Sequence, residues 1–205
     1  MKRKFEIIGF CLAWFAIITQ FILMIQNRQS SIFETIVRFF SFFTILTNIL
    51  VALYFTAMLF KFKKNPFALL LTQSTLLAIT VFISIVGLVY QIALRSIWNP
   101  TGLQFLVDEL LHTMIPLYVF VYWILTIKKS KSEMKFVFYW LLYPVIYTFF
   151  ILLRGHLSAY YPYPFLNSIE IGYKQSFINI SSILSITIVL MLLFIFIEKK
   201  LKKYH

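Results

Sequence analysis

The sequence predicts an all-α membrane protein: a bundle of six transmembrane helices in a single domain, residues 1–205, with the N- and C-termini cytoplasmic. Three observations predict it. Hydrophobic residues fill 61% of the 205 positions and charged residues only 13%, more apolar surface than a soluble domain of this size can hide. Six apolar runs are long enough to cross about 30 Å of hydrocarbon. The lysines gather in alternate gaps between those runs, the pattern that orients helices in a bilayer.

The first run, residues 7–25, follows the basic Met1-Lys2-Arg3-Lys4. It has the layout of a secretory leader. However, at about 19 residues it is longer than a usual leader core, and no small-x-small cleavage site follows it. It is read as an uncleaved first span. The second span is expected over 39–60 and the third over 67–94, the latter long enough to tilt or to extend past the membrane. The fourth is expected over 107–127, the fifth over 136–153 and the sixth over 177–197. No internal repeat, low-complexity stretch or soluble domain interrupts them.

With the N-terminus inside, the cytoplasmic clusters are Lys2, Arg3 and Lys4; Lys61, Lys63 and Lys64; Lys128, Lys129, Lys131 and Lys135; and Lys199, Lys200, Lys202 and Lys203. These are fourteen of the 19 basic residues. Arg28, Arg38, Arg95, Arg154 and Lys174 remain outside. An odd number of spans would scramble this pattern. Topology and anionic headgroups account for the clusters and for the net charge of +12. No basic stripe interleaved with exposed aromatics suggests a nucleic-acid partner. Cys11, the only cysteine, lies within an apolar run, so no disulfide framework is expected.

Polar side chains inside the spans mark an expected site, because lipid cannot satisfy them. Ser41, Thr44 and Asn48 share one face of the second span, and Asp108 and His112 are one turn apart on the fourth. Tyr143, Tyr147 and Arg154 share a face of the fifth, and Asn179, Ser182 and Ser185 lie close together on the sixth. All fall in the outer half, which predicts a polar chamber opening toward the outer leaflet. Thr44 is five residues below Phe39 and His112 five below Val107, so both lie roughly 7–8 Å beneath their outer boundaries. They can meet if those spans are neighbours. Pro116 offers no N–H to the carbonyl of His112, which predicts a freed acceptor and a bend there.

Blander readings compete at each position. A membrane threonine usually bonds its own i−4 carbonyl, as expected of Thr47, Thr80 and Thr187. Asp108 either orients His112 or favours the N-terminal end of its helix. Arg154 is either an interfacial anchor or a bidentate carboxylate ligand. Glu109 is expected at the interface, His156 in a loop and His205 in a solvated tail. Metal binding needs three convergent ligands, and His112 with Asp108 has no evident third. No metal, nucleic acid or cofactor is therefore expected. No Gly-x-Ser-x-Gly elbow, phosphate loop or His-Glu-x-x-His is present.

Three segments carry a resemblance: Phe42-Phe43-Thr44-Ile45-Leu46-Thr47-Asn48, then Leu111-His112-Thr113-Met114-Ile115-Pro116, then Tyr161-Pro162-Tyr163-Pro164-Phe165-Leu166. They are similar to the signature regions of the androgen-induced protein family, multi-pass proteins of which some hydrolyse fatty acid esters of hydroxy fatty acids. The resemblance is nearer to the family's six-span bacterial branch. It extends over Trp140 to Tyr147, Leu153-Arg154-Gly155 and Gly172-Tyr173. It implies a catalytic threonine and histidine, here Thr44 and His112, with Thr47 one turn away as the competing threonine.

The expected activity is then hydrolysis of a lipid-like ester within a bacterial cytoplasmic membrane. Thr44 would be the nucleophile and His112 the base. Asn48 would donate to the oxyanion and Asp108 would hold the imidazole. Arg154 would grip a substrate carboxylate, and Tyr163, Pro164 and Phe165 would form a cap. Two other classes remain open: a small-molecule or proton-coupled transporter using Asp108 and His112, and a non-catalytic protein that binds lipid or a partner. The expected partners are membrane lipids and the ester substrate.

Overall fold

The computed structural model describes residues 2–61, 67–127 and 132–203. Lys63, Lys64, Lys128, Lys129, Lys131 and His205 lie outside the described residues. Among the described residues, six helical segments are long and apolar enough to cross a membrane: Lys2–Gln26, Phe43–Phe60, Gln73–Leu94, Gly102–Thr126, Val137–Ser158 and Ser168–Lys202. The protein is a multi-pass α-helical membrane protein.

Helix α1 (Lys2–Gln26) packs on α3 (Phe43–Phe60). Ala13 and Ala16, both wholly buried, let the backbones approach, as small residues do where lipid gives no hydrophobic drive between helices. The Trp14 indole N–H donates to Thr56 Oγ1 at 3.0 Å. Helix α5 (Gln73–Val89) forms the centre. Two thirds of the third span's most apolar window is buried, 67%, against 22% for the first, fifth and sixth. A helix apolar on every side belongs there, while the first, fifth and sixth turn most of their surface to lipid.

Several spans begin or break where hydropathy gave no sign. The second does not run from residue 39. The short helix α2 (Ile32–Phe39) ends there, and Phe42 is extended at the start of α3. Apolar residues continue through the break. It is held by local bonds, with Ser41 N donating to Arg38 O and Ser41 Oγ donating to Val37 O. The third span is also divided. Helix α4 (Phe67–Leu70) is separate, and Thr72 caps α5 by accepting from Thr75 N at 3.1 Å.

The fourth span contains α6 (Gly102–Glu109), a π-helical turn at Leu110–Met114 and α7 (Ile115–Thr126). The fifth is α8 (Met134–Tyr139) followed by α9 (Leu142–Ser158). It runs past residue 153 and carries His156 on its last turn, so His156 is helical and not in a loop. The last helix, α10 (Ser168–Lys203), is broken at Gly172, whose φ of 78° suits glycine. It starts nine residues earlier than the apolar run suggested.

Between α9 and α10 runs the strap of residues 159–167. It is pinned at three points. The Tyr161 ring covers Gly155 so closely that a Cβ there would lie 2.2 Å from it. The hydroxyls of Tyr161 and Ser168 are 2.7 Å apart, and Asn179 Nδ2 donates to Phe165 O at 2.9 Å. Arg154 adds a fourth tie, donating to Tyr160 O at 3.4 Å.

Glu34 secures the strap end to α2. Its Oε1 accepts from Arg38 Nε at 2.7 Å and from Arg154 Nη2 at 2.8 Å. Both guanidiniums lie over the Tyr160 ring, at 4.2 and 4.7 Å. The Arg38 hydrogen bond, followed by the charge of Arg154, holds the Glu34 carboxyl below its ordinary range. Because the folded value is depressed, this stabilisation is complete above the ordinary carboxylate range and is lost as pH falls through the folded value. Glu34→Gln is expected to leave the buried Arg154 unpaired at roughly 1–3 kcal/mol. Thermal unfolding at pH 7 and at pH 4 checks this, with the gap between parent and variant narrowing at the lower pH.

Candidate functional site

Because α3 starts at Phe43, Thr44 sits in its first turn, where backbone N–H groups find no acceptor within the helix. The Thr44 N–H donates instead to the Tyr163 hydroxyl at 3.2 Å. That hydroxyl is also 3.3 Å from Thr44 Oγ1, and Thr44 Oγ1 is 3.3 Å from His112 Nε2. The structure therefore brings together the threonine and histidine for which the sequence predicts matched depth, and adds the strap tyrosine to them. Burial pushes the Tyr163 phenol above its ordinary value, so it stays protonated and able to donate.

His112 has one nitrogen committed. Its Nδ1 is 2.9 Å from the backbone oxygen of Asp108 and 3.3 Å from Asp108 Oδ1. Both are acceptors, so the neutral ring carries its proton on Nδ1 and presents the Nε2 lone pair to Thr44. Asp108 thus contributes through its carbonyl as well as its carboxylate. The Tyr90 ring stacks on the imidazole at 4.3 Å, 15° from parallel, and fixes its plane.

The chain has a local reason for placing these rings. Tyr90 begins one π-helical turn, Tyr90–Leu94, and His112 lies in another, Leu110–Met114. In the second, the Ile115 N–H bonds Leu110 O, so Leu111 O loses its usual α-helical donor. Asn48 supplies the replacement: its Nδ2 donates to Leu111 O at 3.3 Å and to Thr44 O at 2.9 Å. Asn48 therefore clamps the threonine's helix to the histidine's turn. This corrects its expected role as oxyanion donor, since both amide hydrogens are taken and the side chain is wholly buried.

Pro116 frees the His112 carbonyl as its chemistry requires, and that oxygen rests against α5. A Cβ built on Gly87 would lie 3.1 Å from His112 O and 3.3 Å from Pro116 Cβ. Gly87→Ala is expected to cost about 1–3 kcal/mol through overpacking and to displace the π turn. The check is the unfolding temperature.

These groups line a cavity of about 780 Å³ at the end of the bundle where α1 stops and α3 starts. Thr44, His112, Asp108, Tyr163 and Pro164 border it, with Arg28 and Arg38 also contributing. Phe165 lies behind Tyr163, its ring stacked 5.1 Å away. Arg154 does not line the cavity. Its carboxylate partner is Glu34, 120 residues away, so the expected grip on a substrate carboxylate is corrected. The cationic side chains at the cavity are Arg28 and Arg38.

The remaining polar sets divide. Thr80 and Thr187 bond their i−4 carbonyls at 2.7 and 2.8 Å, whereas Thr47 meets the Tyr143 hydroxyl at 3.0 Å. Tyr147 donates to Ser41 O at 3.0 Å. Ser182 turns back to Ile178 O, and it lines a shallow outward groove with Ser185. They are not part of the chamber. Glu109 pairs with Arg95 at 2.8 Å. Tyr90 and Glu34 were missed by sequence reading; a tyrosine near the end of the third apolar run was the only available signal for Tyr90. Among the described residues no cluster of three His, Cys, Asp or Glu side chains is arranged to hold a metal ion.

The fold and cavity define a multi-pass membrane protein in which a buried threonine contacts a part-buried histidine on one side and a buried tyrosine on the other. No protein-family model, curated protein or solved structure matches the chain.

Proposed function

We propose that the protein is a membrane-embedded hydrolase of a lipid-like carboxylic ester, with Thr44 as nucleophile and His112 as base. The carrying observation is the ordered line Asp108–His112–Thr44, with the Tyr163 hydroxyl beside Thr44 Oγ1. A nucleophile within reach of a base that a third group orients is the general arrangement for acyl transfer. The separation of 3.3 Å is ordinary for an unliganded site whose hydrogen bonds tighten on binding. The resemblance to the androgen-induced protein family, nearer to its bacterial branch, supports the same pair.

In the reaction, His112 Nε2 takes the Thr44 hydroxyl proton while Oγ1 attacks the carbonyl carbon. Tyr163, already accepting from the Thr44 N–H, directs its own proton to the oxyanion. The tetrahedral centre collapses, the alkoxide leaves with the proton from His112, and the acyl group remains on Thr44. Water then attacks this ester with His112 as base again, releasing the acid and restoring the hydroxyl. The lysine distribution supports a reading in which both termini are cytoplasmic and the cavity lies in the outer half of the membrane, which we take to be a bacterial cytoplasmic membrane. There Arg28 favours substrates with an anionic end.

The test is covalent labelling of the purified protein by an active-site-directed phosphonate probe, comparing the parent with Thr44→Ala and His112→Ala. Labelling is expected in the parent and lost in both variants. Labelling equal in all three would leave a lipid-binding or transport protein as the better reading.

A further inference from the structure

Thr44 stands between two cavities. The first is the chamber of about 780 Å³ that contains His112. The second, between α5, α9 and α10, is a slot of about 70 Å³. Thr44, Leu94 and Tyr163 border both. An ester carbonyl held at Thr44 sends its acyl and alkoxy arms in different directions, so each cavity can accept one of them.

We infer that the slot receives the acyl group, that this group is short, and that the chamber receives a bulky alcohol; the inference rests on the hydrolase reading above. The assignment of arms follows from the proton. The departing alkoxide must collect it from His112, and His112 borders the chamber but not the slot. The alcohol therefore leaves on the chamber side, and the acyl group bound to Thr44 stays on the other.

The slot's chemistry suits hydrocarbon. Its walls include Ile85, Val86 and Val89 on α5 and Ile180 and Leu184 on α10. Away from Thr44 and Tyr163, its hydroxyls are already committed. Thr148 bonds Pro144 O and Thr187 bonds Ile183 O, both at 2.8 Å, and Tyr147 bonds Ser41 O at 3.0 Å.

Its size sets the chain length. A water-sized group needs roughly 10–15 Å³ on this measure, so the slot holds on the order of five such groups. That corresponds to an acyl group of roughly two to five carbons. The chamber, over ten times larger, takes the greater part of the molecule. The substrate class is a short-chain acyl ester of a large amphipathic alcohol, and the reaction removes the short acid.

The test uses 4-methylumbelliferyl acetate, butyrate and decanoate with the full-length protein in nanodiscs. Thr44→Ala defines the background. The parent is expected to turn over acetate and butyrate at least about tenfold faster than decanoate. Leu184→Ala, which removes part of the slot's wall and enlarges it, is expected to raise decanoate turnover about tenfold. Labelling of Thr44 by a methylphosphonate reports whether each variant is folded. If Leu184→Ala fails that check, Ile180→Ala takes its place. Thr44-dependent turnover that favours decanoate, or that does not respond to widening the slot, overturns the short-acyl assignment and leaves the hydrolase intact. Absence of Thr44-dependent turnover at every length overturns both.

Discussion

On the proposed hydrolase mechanism, replacing Thr44 with alanine is expected to lower ester turnover by about a thousandfold or more, and His112→Ala by a similar factor. Combining the two should add little, because residues acting as one unit fail together. The physical reason is the single proton path from Thr44 Oγ1 to His112 Nε2, 3.3 Å away. Thr44→Ser is the informative companion. It keeps the nucleophilic oxygen, loses only a methyl group and should retain measurable activity. Steady-state turnover of a fluorogenic ester checks all four variants. A folded Thr44→Ala protein with parental turnover would remove the nucleophile from the mechanism.

The second large effect is expected at Tyr163. Tyr163→Phe keeps the ring on Phe42, 5.7 Å away and edge-on, and its stack with Phe165, while deleting one hydroxyl. Loss of an oxyanion donor typically costs about 10²–10³ in kcat, with KM little changed because the ground-state carbonyl needs that donor less. The deletion also leaves the Thr44 N–H without its acceptor, so some loss of stability should accompany it. A purely structural role would lower the unfolding temperature and spare kcat. The split between kcat and KM separates the two.

Much of the site was legible because membrane burial simplifies inference. A hydroxyl, an amide, a carboxylate and an imidazole in apolar runs had to find partners, and helical rise placed Thr44 and His112 at similar depth. The same reasoning failed for Ser182 and Ser185, which satisfy themselves or face outward, since serine can bond its own helix. Arg154 illustrates the other limit. Its charge required an acceptor, but nothing local indicated that Glu34 would supply it.

The sequence by itself determined that the chain is an all-α membrane protein of six apolar spans, because hydrophobic length against bilayer thickness is a property of consecutive residues. It also determined that Pro116 must free a carbonyl near His112. Only the tertiary structure decided that α3 starts at Phe43, that Tyr163 reaches Thr44 from 119 residues away, and that Asn48 is spent as a clamp. Hydropathy is local and additive along the chain. Hydrogen-bond partners are settled by which helix ends the packing brings together, and no run of neighbouring residues encodes that.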